Sequence, residues 1–483
     1  MSARPPTGVA TDTKAPIANL TGSSEHAGHS GRAGRFALPQ IRLKTPPDGR
    51  RNPCRRKLAL IACLLFSAFL ISMQWNAWSP DFSAYYFAGH FYGLEQFDQI
   101  YAGPPTVIGP DMPAAWAAAV DATASAGAQT YPFIYPPWVA ASAAPIAAHL
   151  SPQAAMNAML LLNTGLILAS AVLAWRIAGR RRICLSFWMI ASCALLALNA
   201  IPIFAVYLGQ LQIFIFFLCL LAFDRYKSGK DVSAALLLAL AACLKITPAA
   251  FAILFLWNRN WRALLAFMLA SLGGLALSIH LLGWPLHATF FERLRTLNGL
   301  LVMSDAGVPL EAFLYQIADL VRGTAPIYDD IDELVSWRPL WIDLVTKTSF
   351  ILGLALIWWR MRHLPRHRRI GAQILPLSIL VPLATPLAWV HYFLLPCYLM
   401  VATLIRGPRP ARYLALLFFA GFTVPIFRLV GPDTPIEEAR VMPHVIFYVP
   451  LLSLSLFATL RWPLGQVSQK ETRAPLRWPL RSL

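Results

Sequence analysis

Apolar runs of membrane-crossing length recur along the chain, and short basic clusters separate many of them. A span of the hydrocarbon core needs about 20 apolar residues, and the runs near 58–73, 154–175, 183–204, 210–223, 261–282, 341–359, 370–386, 391–405, 412–430 and 442–460 come close to it. A further pair is predicted within 232–257, where two legs must share a stretch short for two full spans. The pattern therefore predicts an all-α polytopic membrane protein with about twelve crossings. Between the first two crossings, Pro137 to Leu150 is apolar but too short to span, and is expected as a helix lying at or dipping into the outer interface.

Charge orients this pattern. From Leu58 to Trp175 there is no Lys or Arg, whereas Asp81, Glu95, Asp98, Asp111 and Asp121 are present, so the loop 74–153 is expected on the periplasmic side. Arg55-Arg56-Lys57 precedes the first run and sends it outward as an uncleaved anchor. Arg176 with Arg180–Arg182, Arg225/Lys227/Lys230, Arg259/Arg262, Arg360 to Arg369 and Arg406 to Arg412 alternate to the inner side, and the acidic stretches in 283–340 and 431–440 to the outer. The expected organisation is a disordered basic cytoplasmic tail over 1–57, a transmembrane domain over 58–460 with periplasmic loops 74–153 and 283–340, and a basic cytoplasmic tail over 461–483. Both termini are then cytoplasmic, and the location is a bacterial inner membrane.

Composition agrees. The 483 residues are 57% hydrophobic and 13% charged, with a mean hydropathy of +0.54. Soluble domains carry about 25% charged residues, so a soluble enzyme, a disordered chain and a disulfide scaffold are all excluded. The net charge of +18 could suggest nucleic acid, but no basic stretch is interleaved with stacking aromatics on a soluble domain, so the charge reads as a topology signal. The seven cysteines lie in or beside apolar segments without metal-ligand spacing, so neither a disulfide nor a metal site is expected. Asp330-Ile331-Asp332 mimics a sugar-nucleotide metal motif, but amid Asp329 and Glu333 it reads as a solvated acidic patch. No phosphate-cradling GxxxxGK[ST] and no GxGxxG occurs, so nucleotide cofactors have no support.

Few polar residues carry candidate chemistry. Asp81, in Ser79-Pro80-Asp81-Phe82, follows the first span among aromatics, where partial burial can tune a general base; its alternative is an N-cap for the segment Phe82 to Gly93. Tyr131-Pro132-Phe133-Ile134-Tyr135-Pro136-Pro137-Trp138 reads either as interface anchors or as a surface that stacks on a sugar ring. Lys245, in the short hairpin with Thr247 and Pro248, needs an anionic partner at membrane depth or snorkels to the interface. His391, after Trp389, is a hydrogen-bonded packing residue or a donor, and Gln210, after Gly209, is loop polarity or a ligand contact.

Asp81-Phe82 with Tyr85 and Tyr101, Tyr135-Pro136-Pro137, Gly209-Gln210, Lys245 with Pro248 before Trp261-Arg262, and Pro386 with Trp389, His391 and Tyr392 follow one another in an order that resembles glycosyltransferase family 87, integral-membrane enzymes of the GT-C type. The resemblance covers roughly 58–405. The loop near Met303-Ser304-Asp305-Ala306 departs from it, lacking the Asn-Gln-Ser stretch of many relatives. The resemblance implies a GT-C-like bundle with juxtamembrane helices in the first periplasmic loop. It also implies a hexosyltransferase that moves a sugar, such as mannose, from a polyprenyl-phosphate donor to a glycolipid or glycan acceptor with inversion. Asp81 and His391 are then the expected catalytic residues, and Lys245, Gln210, Tyr85, Tyr135 and Trp389 the substrate-binding ones, with no metal, no cofactor, no nucleic acid and no protein partner. The rival reading is a multi-span transporter or glycolipid flippase, against which the two halves carry no evident repeat.

Overall fold

The structure is a computed structural model that describes residues 53–104, 106, 112–123, 128–179, 183–304, 306–323, 333–430 and 443–463. Most of both basic tails, Arg180–Arg182, Asp111, Asp305, the Asp330/Asp332 motif and the acidic stretch 431–440 lie outside the described residues.

Five helices among the described residues are long and apolar enough to cross a membrane. The first, α1 (Pro53–Gln74), leads into α2 (Pro80–Gly93), a single turn α3 (Phe97–Ile100) and α4 (Ala114–Thr123). The expected interfacial helix is α5 (Pro137–His149), ahead of the second long helix, α6 (Pro152–Ala174), which continues through a π turn over Trp175–Gly179. Between α1 and α6, α2 and α5 pack so closely that a Cβ on Gly89 would lie 2.6 Å from the Ala143 carbonyl carbon. Gly89 is thus where the absence of a side chain lets the two helices touch.

The expected single span at 183–204 is instead two helices, α7 (Leu185–Ala197) and α8 (Ala200–Tyr207). Asn199 ends the first run by capping the second, its Oδ1 accepting from Ile201 N at 3.0 Å. Next come α9 (Gln212–Lys227) and the hairpin, in which α10 (Asp231–Leu244) returns through a 3₁₀ turn, Thr247–Ala252, into α11 (Ile253–Trp257). At 1.5 Å per residue, α10 is about 21 Å long, short of the ~30 Å hydrocarbon core. Lys245 lies at the hairpin tip.

The third long helix, α12 (Trp261–Leu282), has only 6% of its apolar window buried within the protein, so lipid must cover it. It passes into α13 (Trp284–Leu297) and a feature the hydrophobic pattern did not announce, an antiparallel pair of strands, β1 (Leu300–Ser304) and β2 (Glu333–Trp337), with Leu300 opposite Trp337 and Ser304 opposite Glu333. Between the strands runs α14 (Leu310–Arg322). Arg338 fastens this unit: its Nη1 pairs with the buried Glu311 at 2.7 Å and with Asp343 at 3.3 Å.

The remainder is α15 (Leu340–Met361), α16 (Arg366–Leu383), a 3₁₀ turn at Val390–Phe393, α17 (Leu394–Arg406), α18 (Arg409–Gly421), α19 (Val424–Val430) and α20 (Pro443–Arg461), of which α15 and α20 are long enough to span. The expected run at 412–430 is again two helices, and its break meets the break at Asn199. Ala200 N donates to Phe422 O at 2.7 Å and Val424 N to Leu198 O at 3.2 Å, around a bridge between Asn199 and Thr423. Each break therefore satisfies backbone groups that the other exposes, as a dry interior requires.

Candidate functional site

Asp81 is set by three local features. Pro80 opens α2, Ser79 occupies the N-cap position without a side-chain cap bond, and Asp81 falls in the first helical turn. Asp81 is therefore not the N-cap of the aromatic segment. Its carboxylate instead accepts a hydrogen bond from Gln210 Nε2. The backbone N–H groups of Asp81 and Phe82 both donate to Leu208 O, at 3.2 and 3.0 Å, which docks the start of α2 on the turn after α8.

That turn depends on Gly209. Its φ is +68°, and a Cβ there would lie 2.6 Å from Phe82 Cβ and 2.9 Å from Ser79 Cβ. Only glycine combines the left-handed backbone with this approach, and the next residue, Gln210, is thereby aimed at Asp81. Gln210 is buried, and its Oε1 also faces the Tyr135 hydroxyl at 3.5 Å.

Tyr135 is held from two sides. Tyr101 Oη donates to the Tyr135 carbonyl at 2.6 Å, and the Tyr85 ring stands edge-on to the Tyr135 ring at 4.7 Å between centroids. Lys245 arrives from the hairpin: α10 ends at Leu244, Lys245 is extended (φ −155°, ψ 133°), and the following 3₁₀ turn carries Pro248 near its start. Trp138 of α5 pins the tip, its indole N–H donating to Cys243 O at 2.8 Å. The Lys245 ammonium lies 4.2 Å from the Tyr392 ring centroid and 5.3 Å from that of Tyr135.

Lys245 interacts electrostatically with both Asp81 and His391. Among the described residues, no direct ion pair joins Lys245 to Asp81. Both retain partial exposure, whereas Tyr85, Tyr135, Gln210, His391 and Tyr392 are buried, so the two charged groups are the accessible members of an otherwise closed cluster. Asp81 lies in the first turn of α2, outside the long apolar helices. Burial raises its carboxyl pKa from 3.8 to about 7, with the Lys245 charge opposing the rise. A carboxyl poised near neutrality can take up a proton, and an ammonium held apart from it remains available to a second anion.

His391 sits on the 3₁₀ turn, 1% exposed, with both ring nitrogens unpartnered and its ring against Tyr392 at 4.9 Å and Phe204 at 6.2 Å. A short backbone pairing places it: Val308 N donates to Ala388 O and Val390 N to Ala306 O, each at 2.8 Å. Trp389 belongs elsewhere, packing with Ile134, Leu387 and Val335 on the small cluster of Leu297, Leu300 and Val302. Asp81, Gln210, Tyr85, Tyr135, Lys245 and His391 thus converge, and Trp389 supports the strand pair beside them. Tyr392, not singled out among the binding candidates, joins the centre through its cation–π contact; its sequence signal was its place beside His391 in the ordered set that carries the resemblance.

The profile for glycosyltransferase family 87 matches residues 133–386. The matched stretch contains Tyr135, Gln210 and Lys245 and stops at Pro386, so Asp81 and Tyr85 precede it and Trp389 and His391 follow it. No curated protein and no solved structure matches the chain. With more than half of its length matched, and with apolar helices that require a bilayer, this chain belongs to glycosyltransferase family 87.

Proposed function

We propose that the protein transfers a sugar, a hexose such as mannose, from a polyprenyl-phosphate donor to a lipid- or glycan-linked acceptor, with inversion, on the periplasmic side of a bacterial inner membrane. The observation that carries this reading is that Asp81 and Lys245 share one cluster and interact electrostatically, with no direct ion pair between them among the described residues. The architecture that goes with it is a GT-C-like bundle of about twelve crossings, several of them built from the paired shorter helices, with α2 to α5 as helices at the outer surface.

In this mechanism the acceptor hydroxyl gives its proton to Asp81 while its oxygen attacks the anomeric carbon from the face opposite the phosphate. The bond from that carbon to the phosphate oxygen breaks, and its electron pair leaves with polyprenyl phosphate. Gln210 keeps the Asp81 carboxylate oriented during the attack. Lys245 stabilises charge growing on the leaving phosphate, an effect stronger in a water-poor pocket than in bulk solvent. The unpartnered ring of His391 donates to the phosphate or the acceptor. One lipid monophosphate is neutralised by these side chains, so the rate is expected to survive EDTA.

The test is transfer from a panel of short-chain polyprenyl-phosphate sugars to extracted membrane lipids by wild type and Asp81→Asn. Transfer by wild type alone supports the reading. Equal transfer by both removes Asp81 as base, and no transfer by folded wild type with any donor removes the reaction.

A further inference from the structure

Along the segment that leads to Tyr135, a cavity of about 250 Å³ is walled by Gly103, Met112, Pro113, Trp116, Thr130 and Phe133. A water occupies about 30 Å³ of liquid and drug-sized sites run from about 300 Å³ upward, so this volume suits one sugar ring and is too small for an isoprenoid chain. Among the described residues, none that lines it is acidic or basic, so these offer a phosphate no charged partner.

Its walls fit a neutral, hydroxyl-rich ring. Trp116 spends its indole N–H on Gln99 O at 2.7 Å and packs against Phe87 and Phe91, at 6.3 and 5.4 Å between centroids, which fixes its ring as an aromatic wall of the cavity. The Thr130 hydroxyl is paired with Ser83, two residues beyond Asp81 on α2. Arg293 of α13, 5% exposed, donates to Ala102 O at 3.0 Å and Gly103 O at 2.6 Å, holding these carbonyls rigid while each keeps a second lone pair for a sugar hydroxyl.

The cavity neighbours the reacting cluster across one aromatic wall. Phe133 forms its wall, and the Phe133 and Tyr135 ring centroids are 6.0 Å apart. Two residues of chain span at most about 7 Å, a step comparable to one sugar unit. We propose that the cavity is an acceptor subsite for the sugar one unit back from the reacting hydroxyl, so that the acceptor presents at least a disaccharide. The inference rests on the glycosyl-transfer reading above and names its acceptor class.

The test uses the purified full-length protein in detergent, a donor active with wild type from the polyprenyl-phosphate panel, and octyl glycosides of single hexoses and of the matching disaccharides. In wild type, kcat/KM for the disaccharide is expected to exceed that for the monosaccharide by at least tenfold. Met112→Trp, which fills the cavity, is expected to abolish that preference. Saturation-transfer NMR of the free disaccharide should show contact through both sugar rings with wild type and through one ring with Met112→Trp; if that variant does not fold, Thr130→Val takes its place, with a reduced preference expected. Equal use of mono- and disaccharide by wild type, or a preference unchanged in the folded variant, overturns the subsite and leaves glycosyl transfer standing. Absence of transfer to every acceptor overturns the parent reading and the subsite with it.

Discussion

The Lys245 ammonium rests 4.2 Å from the centroid of the Tyr392 ring, although one residue ends a short hairpin helix and the other belongs to a 3₁₀ turn far along the chain. A cation over an aromatic face is worth about 0.5–2 kcal/mol, and the ring rather than the hydroxyl supplies it. Tyr392→Phe should therefore leave donor KM within about twofold of wild type, while Tyr392→Leu raises it by roughly 3- to 30-fold. Steady-state kinetics with varied donor concentration measures both.

Asp81 gives the reaction its pH dependence. Its carboxyl, raised to about 7 by burial, must be ionised to accept a proton, so kcat/KM should rise tenfold per unit of pH below that value. Asp81→Asn should lower transfer by about 10²–10⁴-fold and lose this ascending limb. The stability effect has the opposite direction. A carboxyl whose folded pKa is raised contributes most below about 3.8 and loses that contribution as pH rises through about 7, so Asp81→Asn should melt at or above wild type at pH 8. A melt clearly below wild type at pH 8 would contradict the assignment.

Two glycines of similar backbone make a controlled pair. Gly209 has φ +68° and a would-be Cβ contact of 2.6 Å, whereas Gly229 has φ +76° and nothing within 4 Å. Gly229→Ala should cost about 1 kcal/mol for the backbone alone. Gly209→Ala must also push apart Ser79 and Phe82, so it should cost about 1–3 kcal/mol more and, by moving Gln210, reduce transfer. Paired thermal melts and rate measurements would show whether only Gly209 affects both.

The contact from Trp138 to Cys243 O predicts a coupling between α5 and the hairpin. Trp138→Phe keeps the ring but orphans that carbonyl, at a cost of about 1–3 kcal/mol. Because Lys245 lies two residues on, donor KM should rise along with the loss of stability. A variant that melts early yet binds donor normally would separate the two.

Much of this arrangement was legible in the sequence, for identifiable reasons. The absence of Lys and Arg from Leu58 to Trp175 left α5 as an element too short to span, and α5 occupies Pro137–His149. Asp81, Gln210 and Lys245 stood out because polar groups are costly in apolar surroundings and are kept there by partners. What remained hidden was nonlocal. Leu300–Ser304 reads as one more apolar stretch until Glu333–Trp337 pairs with it, and that pairing recruits Trp389 away from the centre. Asn199 was a cap signal inside a hydrophobic run, masked because the run alone satisfied the length for a span. Tyr392 gained its place from a lysine contributed by another part of the chain.

The paired breaks at Asn199 and Thr423 set an order of events during synthesis. When α7 and α8 leave the ribosome, the carbonyl of Leu198 and the amide of Ala200 have no protein partner, because Phe422 and Val424 have yet to be made. At about 5–20 residues per second, that wait lasts roughly ten to forty-five seconds. During it the broken region must stay hydrated, in the insertion channel or at the bilayer surface, and it can seal only when α18 and α19, close to the end of the chain, thread in beside it.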